Sequence, residues 1–471
     1  MITDKRHIRH LYWRAGFGLH AAESKNALEK TPEQNIESIF EKNSSHSELS
    51  SVEFNGIKLT DIKKLSEDER KDFTKLARKQ MSRLNLDWLK KLCDDEAQLQ
   101  EKMTLFWHGH FACNVDNPLF AQNLNNTLRR NALGNFGTLV LEVSKEPAML
   151  QFLNNKQNKK DAPNENFARE LMELFTIGRG NYTEQDVKEA ARAFTGWRYD
   201  EDGVFELREV QHDFDEKTFM GRTGNFNGEE IISILLEQKQ TAKFICSKIW
   251  KFFVCDVEDE EKIETLCEGF FNSGYDMEKL MREIFSSEWF YDEKYIGSKI
   301  KSPIEFFTGM RRNFTIELDN EETWIILQKI LTQVLFRPPN VAGWKGGQSW
   351  IDSSTIMARV RLAQIVLGNK DLEMDVKEDF DRDAVTMQEE EKPFQSIGAL
   401  KVKTDLAQYI EAFDDVDETE LLNEIAALHI ITPLEKLNVP LIEKHMNSES
   451  REDKIRFITM SVMSLPEYQI C

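Results

Sequence analysis

The chain has 471 residues, enough for a large core and for two or three sub-domains. Its 82 acidic residues outweigh 61 basic ones, a net charge of −21. A field of that sign repels phosphate backbones and anionic lipid, which argues against nucleic-acid binding, and no run approaches the roughly 18 apolar residues of a membrane span.

The opening residues up to His10 are basic but lack an apolar signal core, which predicts a cytoplasmic protein. Cys93, Cys113, Cys246, Cys255, Cys267 and Cys471 are scattered with no C-x-x-C pair, so they are expected to be reduced core thiols. Residues 41–55 form a polar stretch. Beyond it Leu99, Met103, Phe106 and His110 recur at helical spacing and predict an amphipathic helix ending in Phe106-Trp-His-Gly-His-Phe111. Histidine is a common metal ligand, and His108 and His110 are candidate ligands. Residues i and i+2 of a continuous helix lie about 200° apart, so a shared ion needs the helix to end near Gly109. The alternative for either ring is a satisfied core histidine.

Phe167, Ala168, Leu171, Met172, Leu174 and Phe175 make the apolar face of a further helix, with Arg169, Glu170 and Glu173 opposite. Two carboxylates and a guanidinium on one stripe are either an acid–base or metal site or an ion-pair network. Gly178 and Gly180 stop this helix, and Thr183 with Asp186 reads as a capping box opening the next, which ends at Thr195-Gly-Trp197.

From Gly203 the alternation of Val204 to Val210, then Gly221 and Gly224, predicts a β-hairpin or small sheet inserted at residues 203–226. His212 and Asp213 there are candidate metal ligands, although neighbouring strand side chains share a site only at a turn, and Lys217 is a candidate charge stabiliser. Helical periodicity returns through Phe244, Ile245, Ile249, Phe252 and Phe253. Near the end of the 227–369 region the Pro338–Trp350 loop carries Asn340, Trp344 and Trp350, a rigid aromatic wall for a sugar or a plug between helices. With Trp197 these form the candidate substrate-binding set. Residues 370–393, rich in Asp and Glu, read as an acidic linker, and 394–471 as a C-terminal helical unit packing back on the rest. No Walker loop, Gly-x-Ser-x-Gly elbow or dinucleotide fingerprint occurs. The expected fold is mainly α, bundle-like, with an N-terminal helical region over 1–202 and the β insertion at 203–226.

In this order, Arg14-Ala-Gly-Phe-Gly18, Phe106–Phe111, Pro147–Leu150, Asn164–Phe175, Tyr182–Trp197, His212-Asp213 with Lys217, Lys301-Ser-Pro303, Pro338–Trp344 and Ser464–Gln469 resemble a bacterial family known as domain of unknown function 1800. The resemblance spans nearly the whole chain and brings no assigned activity. It implies relatives that carry export signals and are encoded beside a second family related to sulfatases, hence export or glycan work. This chain has no recognisable signal, and reads Leu153-Asn154-Asn155 where the family commonly has Leu-Asp-Asn.

Two functions follow as expectations. In the first, His108, His110, Glu170, Glu173, His212 and Asp213 converge on a divalent metal ion that acidifies water for hydrolysis, of glycans among other substrates, with Arg169 or Lys217 steadying negative charge. In the second, the same residues are ion pairs and caps of a non-catalytic assembly or glycan-binding protein, whose contact surface is the Trp344 loop.

Overall fold

The computed structural model describes residues 5–45, 47–52, 66–368, 372–374, 397–400, 402–433, 437, 442 and 450–471. Most of the predicted acidic linker lies outside the described residues. Helices dominate, and local chemistry starts many of them. Ser66 with Glu69, Thr183 with Asp186, Asn227 with Glu230 and Ser302 with Glu305 each close a reciprocal capping box. Pro118, Pro147 and Pro303 stand in first turns, where the missing N–H costs nothing. In the long helix Glu67–Asp94 the first turns are exposed, and Met81, Leu84, Trp88 and Leu92 then bury a stripe at spacings of three and four.

One core cluster of buried apolar side chains runs from Ile8 to Tyr468. The chain's end joins it through backbone bonds, Lys301 N–H donating to Gln469 O at 2.8 Å and Cys471 N–H to Lys299 O at 2.8 Å. Among the described residues all six cysteines are free thiols, and five are buried. No helix among them is long and apolar enough to cross a membrane.

The sheets are small: four two-stranded antiparallel ladders among the described residues. β1 (Trp197–Tyr199) pairs with β2 (Phe205–Leu207), and β3 (Lys217–Phe219) with β4 (Arg222–Gly224). The β insertion is therefore two hairpins, and its first strand lies before residue 203. The alternation from Val204 predicted a strand as far as Val210, but the ladder stops at Leu207. Arg208 N–H still donates to Gly196 O, after which Glu209–Gln211 closes a 3-10 turn with His212 N–H on Glu209 O. β5 (Thr315–Leu318), β6 (Leu372–Met374), β7 (Ile397–Leu400) and β8 (Val402–Asp405) were not foreseen; β5 pairs with β8, and β6 with β7.

Candidate functional site

The histidines of the His-x-His pair point different ways, as their spacing in the helix Gln98–His110 requires. His108 Nε2 accepts the Phe336 N–H at 3.1 Å, and its ring stands edge-on to Trp88 and 5.7 Å from Trp344. His110 Nε2 donates to Phe175 O at 3.0 Å, with Phe106 and Phe111 against its ring. Burial lowers both imidazoles to about 3, so both are neutral at pH 7. Between them Gly109 meets Gly343, whose φ is +73° and where an added Cβ would strike the Gly109 carbonyl. The His-x-His segment thus docks the Pro338–Trp350 loop. Within that loop Trp350 is buried, Trp344 is half-buried on His108, and the exposed Asn340 turns its Oδ1 back to the Ala342 N–H at 2.9 Å. Trp197 is core, edge-on to Phe194 and Phe205.

The helix Asn166–Glu170 widens into a π-helix over Leu171–Thr176, which periodicity did not predict. Arg169 turns to Glu184, bonded at 2.7 and 2.9 Å, and to Glu165 at 3.1 Å, and these hold its pKa above the ordinary value. Glu173 accepts the Tyr182 hydroxyl at 2.7 Å. Glu170 is half-buried with no hydrogen-bond partner among the described residues, and burial followed by repulsion from Glu173 raises its pKa.

The densest polar assembly joins the helix Glu184–Ala193 to the β insertion. Arg192 forks onto Asp213, Nε to Oδ2 at 2.7 Å and Nη2 to Oδ1 at 3.3 Å, and also donates to Glu189 Oε2 at 2.8 Å. Lys217 is buried and donates to the carbonyls of Asp213 (2.6 Å) and Asp215 (2.8 Å). Glu189 accepts the Thr218 N–H, and Asp186 the Met220 N–H. His212 Nδ1 donates to Thr195 O at 2.7 Å, while Thr195 Oγ1 accepts the Asp213 N–H at 2.8 Å. Burial alone would raise the Asp213 carboxyl; Arg192 and the Asp215 N–H instead hold it below its usual range. Burial lowers Lys217. Through Asp186, Glu189 and Arg192 the helix thus grips the insertion at Asp213, Thr218 and Met220.

His108, His110, His212 and Asp213 do not share a ligand set. Among the described residues no group of three or more His, Cys, Asp or Glu side chains is placed to hold a metal ion. Arg192, Glu189 and Asp186 are the centre of the polar assembly.

Sequence reasoning also missed a cavity of 360 Å³. Ala15, Gly16 and Gly18 of the Arg14–Gly18 motif line one side, Arg311 and Arg312 another, and Asp94 to Glu96 a third. The motif loop is pinned from behind. Lys102 donates to Gly16 O at 2.8 Å and Trp13 O at 3.3 Å, and forms a buried ion pair with Glu305. Burial would raise Glu305, but Lys102 and the Ser302 N–H bring its carboxyl down to about 2. These residues are too far apart in sequence for spacing to reveal them.

Residues 10–470 match the family described as a protein of unknown function, DUF1800. The chain belongs to that family. No curated protein and no solved structure matches it. Segments that carry the resemblance also build the sites described above: the motif loop at the cavity, the His-x-His dock, the π-helix and the clamp on the insertion.

Buried neutral imidazoles make the stability of this chain depend on pH. His108, His110 and His429 all have folded pKa values near 3, lowered first by burial, against 6.5 in the unfolded chain. Between those values the unfolded state binds more protons, so stability falls as pH falls from 6.5 towards 3. Denaturant midpoints measured across that window should show these histidines taking up about three protons on unfolding. In His108→Gln, which keeps an acceptor for Phe336 N–H, the uptake should drop by about one proton.

Proposed function

We propose that this chain is a non-catalytic assembly protein whose β insertion docks a partner with a basic rim around an apolar contact. The observation that carries this reading is a concentration of exposed apolar residues in one short segment. Of the seven exposed large hydrophobic residues among the described ones, Val204 (60%), Leu207 (40%), Val210 (70%) and Phe214 (57%) fall within eleven residues of the insertion. Singly exposed apolar residues need no explanation, whereas clustered ones mark contact surfaces. Phe214 is braced edge-on by His212, 4.6 Å between ring centres, so the clamp on Asp213 also fixes the aromatic beside it. Glu201, Glu209, Asp215 and Glu216 are exposed around the patch and form no ion pair among the described residues, which sets the complementary charge of the partner.

The sulfatase-related family encoded beside relatives is the partner class we assign. Under this reading the polar motif residues position the patch. A divalent-metal hydrolase, acting on glycans or otherwise, is less well supported: it would require His108 and His110 to leave Phe336 and Phe175, and Asp213 to leave Arg192.

The test is titration of a neighbour-encoded sulfatase-related protein against wild type and the double variant Val210→Asp, Phe214→Asp. Both positions are exposed, so the fold and its denaturant midpoint should be unchanged. Loss of two apolar anchors should weaken binding by about tenfold or more, and wild-type binding should weaken with salt. Equal affinity of variant and wild type would remove the reading.

A further inference from the structure

We propose that the docked partner contributes an extended strand, which adds to the free edge of β2 by main-chain pairing. Strand addition rests on the docking reading given above and carries it from the side chains of the insertion to its backbone. The ladder decides which backbone groups are free. Arg208 N–H donates to Gly196 O at 2.9 Å and Asp200 N–H to Val204 O at 2.8 Å, so Gly196 with Arg208 and Asp200 with Val204 are hydrogen-bonded pairs. Hydrogen-bonded and non-hydrogen-bonded pairs alternate in an antiparallel ladder. Trp197 with Leu207 and Tyr199 with Phe205 are therefore non-hydrogen-bonded pairs, whose N–H and C=O groups point away from the opposite strand.

On β1 the outward groups of Trp197 are already used: its N–H donates to Phe194 O at 3.3 Å and its carbonyl accepts Asn155 Nδ2 at 3.2 Å. On β2 they are not. The outward N–H and C=O of Phe205 and of Leu207 have no partner among the described residues, and β2 has β1 as its only neighbour there. An extended segment laid antiparallel along this edge meets two donors and two acceptors in one row. The exposed side chains belong to the same edge. Leu207 lies on it, Val204 and Val210 flank it, and Glu206 between Phe205 and Leu207 is tied back to Arg198 of β1 at 2.9 Å. The second hairpin offers less. On β3 the outward Thr218 N–H is taken by Glu189, and β4 carries Arg222, Thr223 and Gly224, none of them large and apolar. Glu201 before β2 and Glu209 after it are exposed and form no ion pair among the described residues. The strand that fits is thus apolar at its middle, beside Leu207, and carries Lys or Arg towards its ends.

Leu207→Pro and Leu207→Ala separate backbone from side chain. Both lose the leucine, but the proline variant also loses an N–H that β1 does not use, and an edge position of that kind tolerates proline. Titrated with the neighbour-encoded sulfatase-related protein, Leu207→Pro should bind at least about fivefold more weakly than Leu207→Ala. Hydrogen exchange gives a second readout on the unaltered chain: the amides of Phe205 and Leu207 should exchange more slowly in the complex than in the free protein. Faster exchange at Arg208 in free Leu207→Pro would show that the hairpin itself is disturbed, and the exchange readout on wild type then decides alone. Equal affinity of the two variants with the hairpin intact, or unchanged exchange at Phe205 and Leu207 on binding, would overturn strand addition and leave docking through Val210 and Phe214 standing. Failure of wild type to bind would remove both.

Discussion

Glu101→Leu is expected to destabilise the protein by about 3–5 kcal/mol, the usual cost of stranding one partner of a buried ion pair. Glu101 and Arg129 have fully buried side chains. Arg129 Nε and Nη2 donate to the two carboxylate oxygens at 2.5 and 3.1 Å, and Trp88 Nε1 donates at 2.9 Å. One carboxylate thereby joins the helices Glu67–Asp94, Gln98–His110 and Pro118–Arg130. Leucine would leave the guanidinium with Asn126 Oδ1 as its remaining partner and the indole N–H with none. Equilibrium denaturation checks this. The double variant Glu101→Leu, Arg129→Met should recover much of the loss, because the desolvated charge leaves with its partner. A single variant within about 1 kcal/mol of wild type would mean that water reaches this pair.

The second large effect is expected at Gly343. Alanine there needs a left-handed backbone, φ +73°, and its methyl would enter the Gly109 carbonyl, which belongs to a helix and cannot yield. A loss of at least about 2 kcal/mol follows, with release of the Trp344 loop from His108. Tryptophan emission of Gly343→Ala should shift to the red as Trp344 becomes wetter. Gly109→Ala is the contrast. A Cβ at Gly109 meets nothing within 4 Å, and the position is helical, so alanine should be neutral or stabilising by up to about 1 kcal/mol.

What could be read from the sequence was local. The capping box of Thr183 and Asp186 needs only a spacing of three residues, and it is present. His110 continues the stripe of Leu99, Met103 and Phe106, and it is buried with them. The π-helix was not legible, because the local widening by one residue leaves the α-periodic pattern of Phe167 to Phe175 nearly intact. Arg169, in the α-helical turn before it, pairs with Glu165 four residues back and with Glu184, where the wheel placed it beside Glu170 and Glu173. The strand predicted to Val210 ended early because alternation continued through a 3-10 turn that pairs with nothing. The cavity needed tertiary contacts: Arg312 stands beside Cys93 although 219 residues separate them. The clamp role of Arg192 was not legible either, because its partner Asp213 is 21 residues on and across a hairpin.

The polar motif residues act as a clamp for the insertion, and hydrogen exchange in Asp213→Asn measures that directly. Arg192 then loses its charged partner on the insertion, while the core helices are untouched. The amides of Asp213, Asp215, Thr218 and Met220 should exchange faster, protection in the helix Gln98–His110 should be unchanged, and binding through Val210 and Phe214 should weaken. Unaltered exchange at those four amides, or a loss of protection spread through the helical core, would contradict the account.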